Sequence, residues 1–245
     1  MCGRYVAASP PDEVAAYFGA DAPTAELAAN YNVAPTHDVL GVVEGRPDTD
    51  AAGRRLLEAF HWGLVPRWAK DVKIGNRMIN ARADGVATKN AFRSAFTRRR
   101  CIVPADGFFE WRKAVDDPKR KQPYFIHRAD GEQLAMAGLW ERWRDPEVDE
   151  GPLLHSLTIV TTEANGFMEP IHDRMPVMLP PSAWDEWLDP ANDDTDGLQR
   201  LLVPAPDELL VAHAVDTAVG NVRNRGAELI DPIVPDDPGF AATLG

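Results

Sequence analysis

The chain is expected to fold as one α+β domain: a mixed, mainly antiparallel, barrel-like β-sheet with flanking helices. Three observations predict this. Short apolar runs rich in Val, Ile, Leu or Phe recur at 38–43, 56–61, 101–104, 123–127, 134–139, 155–161, 174–179 and 210–215, each bounded by Gly, Pro or Asp. Helical spacing is confined to a few segments, without the regular strand–helix alternation of a parallel sheet. No internal repeat or low-complexity linker divides the 245 residues, and a hydrophobic content of 44% supports one large core. The domain is assigned to 1–232, leaving an acidic, proline-bearing tail at 233–245.

The first helix is expected over Pro11–Phe18, with Asp12 and Glu13 in its first turn and Val14, Tyr17 and Phe18 at helical spacing. A second is expected at 87–98, where Ala91, Phe92, Ala95 and Phe96 share a face, and a short one at 164–168. The last is expected at 181–188, started by Pro181 and Ser182, with Trp184 and Trp187 on one side. The acidic segments at 44–55, 115–121, 144–152 and 190–197 are read as surface insertions, which a fold tolerates at small cost.

No apolar run is long enough to span a bilayer and no basic-then-apolar leader opens the chain, so a soluble, cytoplasmic protein without a membrane partner is expected. The only cysteines, Cys2 and Cys101, provide neither a disulfide framework nor a metal cluster, and no metal or other cofactor is expected. Cys101 lies in an apolar run and reads as an inert core thiol. The net charge is −12, yet ten lysines and arginines between Arg67 and Arg100 face only Asp71 and Asp84, a basic island in an acidic protein. A solvated helix face is the alternative reading of that island. Acidic loops and scarce lysine further suggest solubility in concentrated salt.

Chemistry is expected at the amino terminus. A small second residue favours removal of Met1, which leaves Cys2 with a thiol and a free α-amine on adjacent carbons. Their ordinary pKa values are about 8.5 and 7.7–8.0. Such an aminothiol captures aldehydes as a thiazolidine, or acts as a one-residue nucleophile with its amine as base. Three polar interruptions of apolar runs add candidates. Asn80-Ala81-Arg82 follows Met78-Ile79, with a plain turn as the alternative. Glu110 lies in Phe108-Phe109-Glu110-Trp111, where burial raises a carboxyl pKa, although strand alternation also permits a glutamate facing solvent. His172 stands beside Arg174 at the start of an apolar strand. Trp62-Gly63-Leu64-Val65-Pro66-Arg67-Trp68 supplies the aromatic and cationic groups that hold single-stranded nucleic acid. No phosphate-cradling glycine loop, zinc spacing or GxSxG elbow is present.

The order Met-Cys-Gly-Arg-Tyr, Tyr31-Asn32-Val33-Ala34-Pro35, Trp62-Gly63-Leu64-Val65-Pro66, Asn80-Ala81-Arg82, Cys101-Ile102-Val103-Pro104 with Gly107-Phe108-Phe109-Glu110-Trp111, and His172-Asp173-Arg174-Met175-Pro176 resembles the SRAP family, the SOS response-associated peptidases that sense abasic sites in single-stranded DNA. The resemblance implies a barrel-like mixed sheet, a positively charged DNA channel and attack of Cys2 on the abasic-site aldehyde. It also implies catalytic roles for Cys2, Asn80, Glu110 and His172. DNA contacts are implied at Arg4, Pro35, Trp68, Arg82 and Arg174, from a monomer, with lyase-like and autopeptidase activities in view. Phe109 stands where the family usually has tyrosine, and Gly220 and Arg225 depart from its pattern. A glutamine amidotransferase using Cys2, a peptidase, and a non-covalent single-strand binder are the alternatives.

Overall fold

The computed structural model describes residues 2–22, 27–45, 48–114 and 117–235. In chain order the strands are β1 (Tyr5–Ala7), β2 (Ala20–Asp21), β3 (Asn30–Val33), β4 (Asp38–Glu44), β5 (Arg55–Trp62), β6 (Asn80–Arg82) and β7 (Arg100–Ala105). They continue with β8 (Gly107–Lys113), β9 (Lys121–Arg128), β10 (Leu134–Trp143), β11 (Leu154–Glu163), β12 (Arg174–Pro176) and β13 (Leu210–Ala214). The α-helices are α1 (Pro11–Phe18), α2 (Arg93–Arg98), α3 (Trp184–Leu188) and α4 (Thr195–Arg200).

Strands β5, β4, β7, β10 and β11 hydrogen-bond in that order, and β11 returns to β5, closing a five-stranded barrel. The closing pair is parallel, with Ser156 opposite His61 and Leu157 opposite Trp62. Ser156 Oγ accepts the Val65 N–H at 2.8 Å, so the closure also fixes the chain leaving β5. Strands β6 and β12 both pair with β11, and an antiparallel sheet in the order β13-β9-β8-β1-β3 flanks the barrel. The fold is therefore α+β, mixed and mainly antiparallel.

Alternation along β11 sorts the core. Leu157 and Ile159 enter the cluster that holds Cys2, Tyr5 and Trp62, whereas Val160 enters a second cluster under α1, α2 and α3. Helix α1 forms because Pro11 occupies its first turn ahead of Asp12 and Glu13. It stops at Gly19, whose φ of 62° lets its N–H reach the Ala15 and Ala16 carbonyls. Helix α3 is pinned by its indoles: Trp187 Nε1 donates to the Cys101 carbonyl at 2.8 Å. Gly63 has φ 136°, and a Cβ there would lie 2.7 Å from the Gly75 oxygen. That close approach packs the chain leaving β5 against the turn at 72–77, with Gly63 N–H on the Leu157 carbonyl and Leu64 N–H on the Met78 carbonyl.

Several local expectations change. Residues 164–168 form turns, not a helix, because Asn165 Oδ1 takes the Met168 N–H and Asp207 Oδ1 takes the Phe167 N–H. Only Arg93–Arg98 of 87–98 is α-helical, and the strand expected over 174–179 ends at Pro176. The insertion read at 190–197 contains the start of α4, capped by Asp194 through the Gly197 N–H. The basic island is dispersed. Arg99 pairs with Glu141, and Arg100 is buried, donating to the carbonyls of Phe96, Thr97, Trp187, Asp189 and Asn192. Cys101 is fully buried. The tail expected from 233 lies outside the described residues beyond 235, as does Met1. Among the described residues no helix is long and apolar enough to cross a membrane, and no cluster of His, Cys, Asp and Glu could hold a metal.

Candidate active site

Cys2 enters the barrel-side core directly ahead of β1 and is fully buried. β1 sits between β8 and β3, with Tyr5 opposite both Phe108 and Val33, so the amino terminus is drawn under β8. Asn80, the first residue of β6, donates its Nδ2–H to the Cys2 carbonyl at 2.7 Å. The Oδ1 of the same amide is buried and has no hydrogen-bond partner among the described residues. β6 takes its place because Asn80 and Arg82 pair in parallel register with Ile159 and Thr161 of β11.

Strand β8 has both faces covered. Phe108 packs in the cluster around Cys2, Phe109 in a cluster with Val6, Phe125, Val215, Val219 and Leu229. Period two then turns Glu110 toward the Cys2 side, and it is only 3% exposed. The reading of Glu110 as facing solvent fails for this reason. The same alternation turns Phe109 away from Cys2, so the hydroxyl missing relative to tyrosine lies on the far face of β8. His172 Nε2 is 4.0 Å from Glu110 Oε2.

The ring of His172 is oriented from behind. Its Nδ1 lies 3.0 Å from the Arg174 backbone N–H and 2.9 Å from Asp173 Oδ1. Nδ1 thus faces a backbone donor and a carboxylate acceptor at once, while Nε2 is the ring nitrogen turned toward Glu110. Burial pushes the Cys2 thiol far above its ordinary range, the Glu110 charge adds to the push, and the Arg4 backbone N–H opposes it. Burial thus moves the thiol upward from its ordinary value of about 8.5, toward the S–H form.

Arg82 and Arg174 lie side by side across β11. Arg174 donates to the Thr161 carbonyl at 2.6 Å and to Thr161 Oγ1 at 3.0 Å, while Arg82 forms a forked pair with Asp84 at 3.1 and 2.8 Å. Burial and then the like charge of Arg82 lower the Arg174 pKa. Its Nε is buried without a partner among the described residues. Trp68 is 54% exposed in the loop after β5. Pro35 precedes Thr36, whose φ of 73° is strained for a β-branched residue and is held by its N–H on the Trp62 carbonyl at 2.8 Å.

Arg4 is committed to protein acceptors: NH1 donates to Asn32 Oδ1 and the Val219 carbonyl, NH2 to the Gly220 carbonyl. Asn32, fully buried, donates to the carbonyls of Val219, Asn221 and Asn224. This loop is gripped through its backbone, which is why Gly220 and Arg225 are accommodated there. The importance of Asn32 went unread in the sequence, although an asparagine between Tyr31 and Val33 in a strand is the signal that would have found it.

The profile of the SOS response associated peptidase (SRAP) family matches residues 1–222. The chain belongs to the SRAP family. Among its SRAP relatives, the abasic site processing protein YoqW of Bacillus subtilis is 42% identical over 233 residues, covering 94% of this chain and 99% of that one. YedK of Escherichia coli, also an abasic site processing protein, is 33% identical across 95% and 100% of the two chains. The abasic site processing protein HMCES of Xenopus tropicalis is 30% identical across 96% and 79%. A crystal structure of a Bacteroides thetaiotaomicron protein superposes with a TM-score of 0.81 at 26% identity, covering 95% of this chain and all of that one. That superposition agrees with the architecture described above.

Proposed function

We propose that this protein captures abasic sites in single-stranded DNA by forming a thiazolidine through Cys2 after removal of Met1. The observation that carries the reading is the gathering of Cys2, Asn80, Glu110 and His172 at one place from four distant segments, in a chain whose relatives are abasic site processing proteins.

The chemistry balances without a cofactor. The α-amine adds to the C1′ aldehyde of the ring-opened sugar, a C–N bond forms, and the aldehyde oxygen departs as water. The Cys2 sulfur then adds to the imine carbon, and the thiol proton ends on the ring nitrogen. Aldehyde plus aminothiol thus gives thiazolidine plus one water. Asn80 holds the Cys2 carbonyl through Nδ2, and its unused Oδ1 is the acceptor for the uncovered amine. Glu110 accepts a proton from the buried thiol or amine. His172, with Nε2–H as donor, protonates the sugar oxygen that is released on ring opening.

Arg82 and Arg174 bind the phosphates on either side of the lesion, the Arg174 Nε being the donor still open. Trp68 stacks on a neighbouring base and Pro35 forms part of the pocket wall. Arg4 contributes by fixing the loop at 219–224 beside the amino terminus. Intact-mass measurement of protein incubated with an abasic strand tests the reading. It predicts loss of Met1, and a product equal to protein plus DNA less one water that borohydride does not reduce. A borohydride-reducible product of the same mass is an open Schiff base and overturns the thiazolidine.

A further inference from the structure

The end of β11 remote from Arg174 carries a second concentration of positive charge. Arg67, Arg99, Arg142 and Arg144 line a notch of about 520 Å³ together with Glu141 and Leu153. Glu141, the only carboxylate in that lining among the described residues, is buried and both its oxygens are engaged. Its Oε2 accepts from Arg99 at 2.9 Å and its Oε1 from the Arg142 backbone N–H at 3.0 Å. Arg99 therefore balances Glu141, and Arg67 and Arg144 are in excess.

Arg142 Cζ lies 5.4 Å from the centroid of the Trp140 ring, within cation–π range. Arg67 adjoins the exposed indole of Trp68. The acidic stretch that follows Arg144 folds on itself, with Asp145 Oδ1 accepting the Glu147 N–H and the Asp145 carbonyl accepting the Val148 N–H. A concave surface with surplus guanidiniums beside an exposed aromatic matches the backbone and base chemistry of a single strand.

Strand register fixes the distance between the two arginine groups. Arg142 stands opposite His155 and Arg82 opposite Thr161, six residues along β11. At about 3.3 Å per residue that is about 20 Å.

We propose that this notch is a second seat for backbone phosphates of the same DNA strand, about six nucleotides from the phosphate held at Arg82 at a stacked spacing of about 3.4 Å per nucleotide. The proposal rests on the capture reading above, but its test separates from it. The probe is a single strand carrying an unreactive tetrahydrofuran abasic analogue, with flanks varied from about two to about ten nucleotides on each side. Affinity of the wild-type protein rises in a step once one flank passes about six nucleotides. Arg67→Ala with Arg144→Ala abolishes the step and makes the log–log salt slope shallower by about 1.4, roughly 0.7 for each phosphate that the two arginines no longer neutralise.

The double variant still crosslinks a short strand bearing a true abasic site. A wild-type affinity without a length step, or a step that survives in the double variant, overturns the proposal. Competition by inorganic phosphate in the absence of a length step assigns the notch to a free anion and overturns it equally. Failure of the wild type to crosslink the short abasic strand sinks the capture reading alone.

Discussion

Asn80 Nδ2 donates a 2.7 Å hydrogen bond to the carbonyl of Cys2, 78 residues earlier in the chain. One side chain on a short strand thereby fixes the residue that the proposed capture uses as its nucleophile. The buried Oδ1 of the same amide has no hydrogen-bond partner among the described residues, and in the proposed capture it accepts from the uncovered α-amine.

Asn80→Ala removes both functions with little change in packing. Loss of a hydrogen bond to a charged or reacting group is worth about 1.5–3 kcal/mol, so crosslinking slows about ten- to a hundredfold. Single-turnover rates on an abasic strand measure this. Undiminished rates in the variant contradict the role.

Glu110→Gln separates proton transfer from electrostatics. Loss of a positioned base slows capture about 10²–10⁴-fold. The Glu110 charge also raises the Cys2 thiol, so its removal lets the thiol ionise at lower pH. The alkaline limb of the pH–rate profile therefore moves to lower pH while its height falls. A shift to higher pH refutes the assignment.

Burial also raises the Cys101 thiol far above its ordinary range. A group whose folded pKa is raised stabilises the protein fully below its unfolded value and loses that stability as pH climbs. Unfolding free energy should therefore decline from about pH 8.5 upward, by at most about 1.4 kcal/mol per pH unit for each buried thiol. Cys101→Ala should flatten the decline in urea titrations across that range, and an equally steep slope in the variant argues against it.

Arg100 shows how a charge is buried without a carboxylate. Burial lowers its pKa to about 10, and its donors serve five carbonyls that close α2 and α3 onto β7. Arg100→Lys cannot serve them all and costs about 2–4 kcal/mol in urea unfolding. Crosslinking in the absence of urea should persist, since Arg100 packs against Trp187 rather than Cys2.

Much of this site was legible because its residues break apolar patterns. Glu110 between aromatics and Asn80 after Met78-Ile79 are polar groups where a core excludes them, and both lie beside Cys2. The barrel strands were legible for the same reason, from their short apolar runs. Burial of Cys2 was not legible, since nothing in Met-Cys-Gly-Arg-Tyr says that β1 will be sandwiched between β8 and β3. The basic island misled because linear density ignores partners: Arg82 meets Asp84 locally, while Arg99 and Arg100 find acceptors on β10 and α3. Nor were the partners of Arg4, expected as a DNA contact, legible: Asn32 and the Val219 and Gly220 carbonyls lie far from it in the chain.

The central claim is covalent capture through residue 2. A denaturing gel of wild-type protein and Cys2→Ala, each with a single strand bearing one abasic site and with an undamaged strand, tests it most directly. The account predicts a band that survives denaturation only for the wild type with damaged DNA. Absence of that band from protein whose mass shows Met1 removed, or its appearance with Cys2→Ala, contradicts the account.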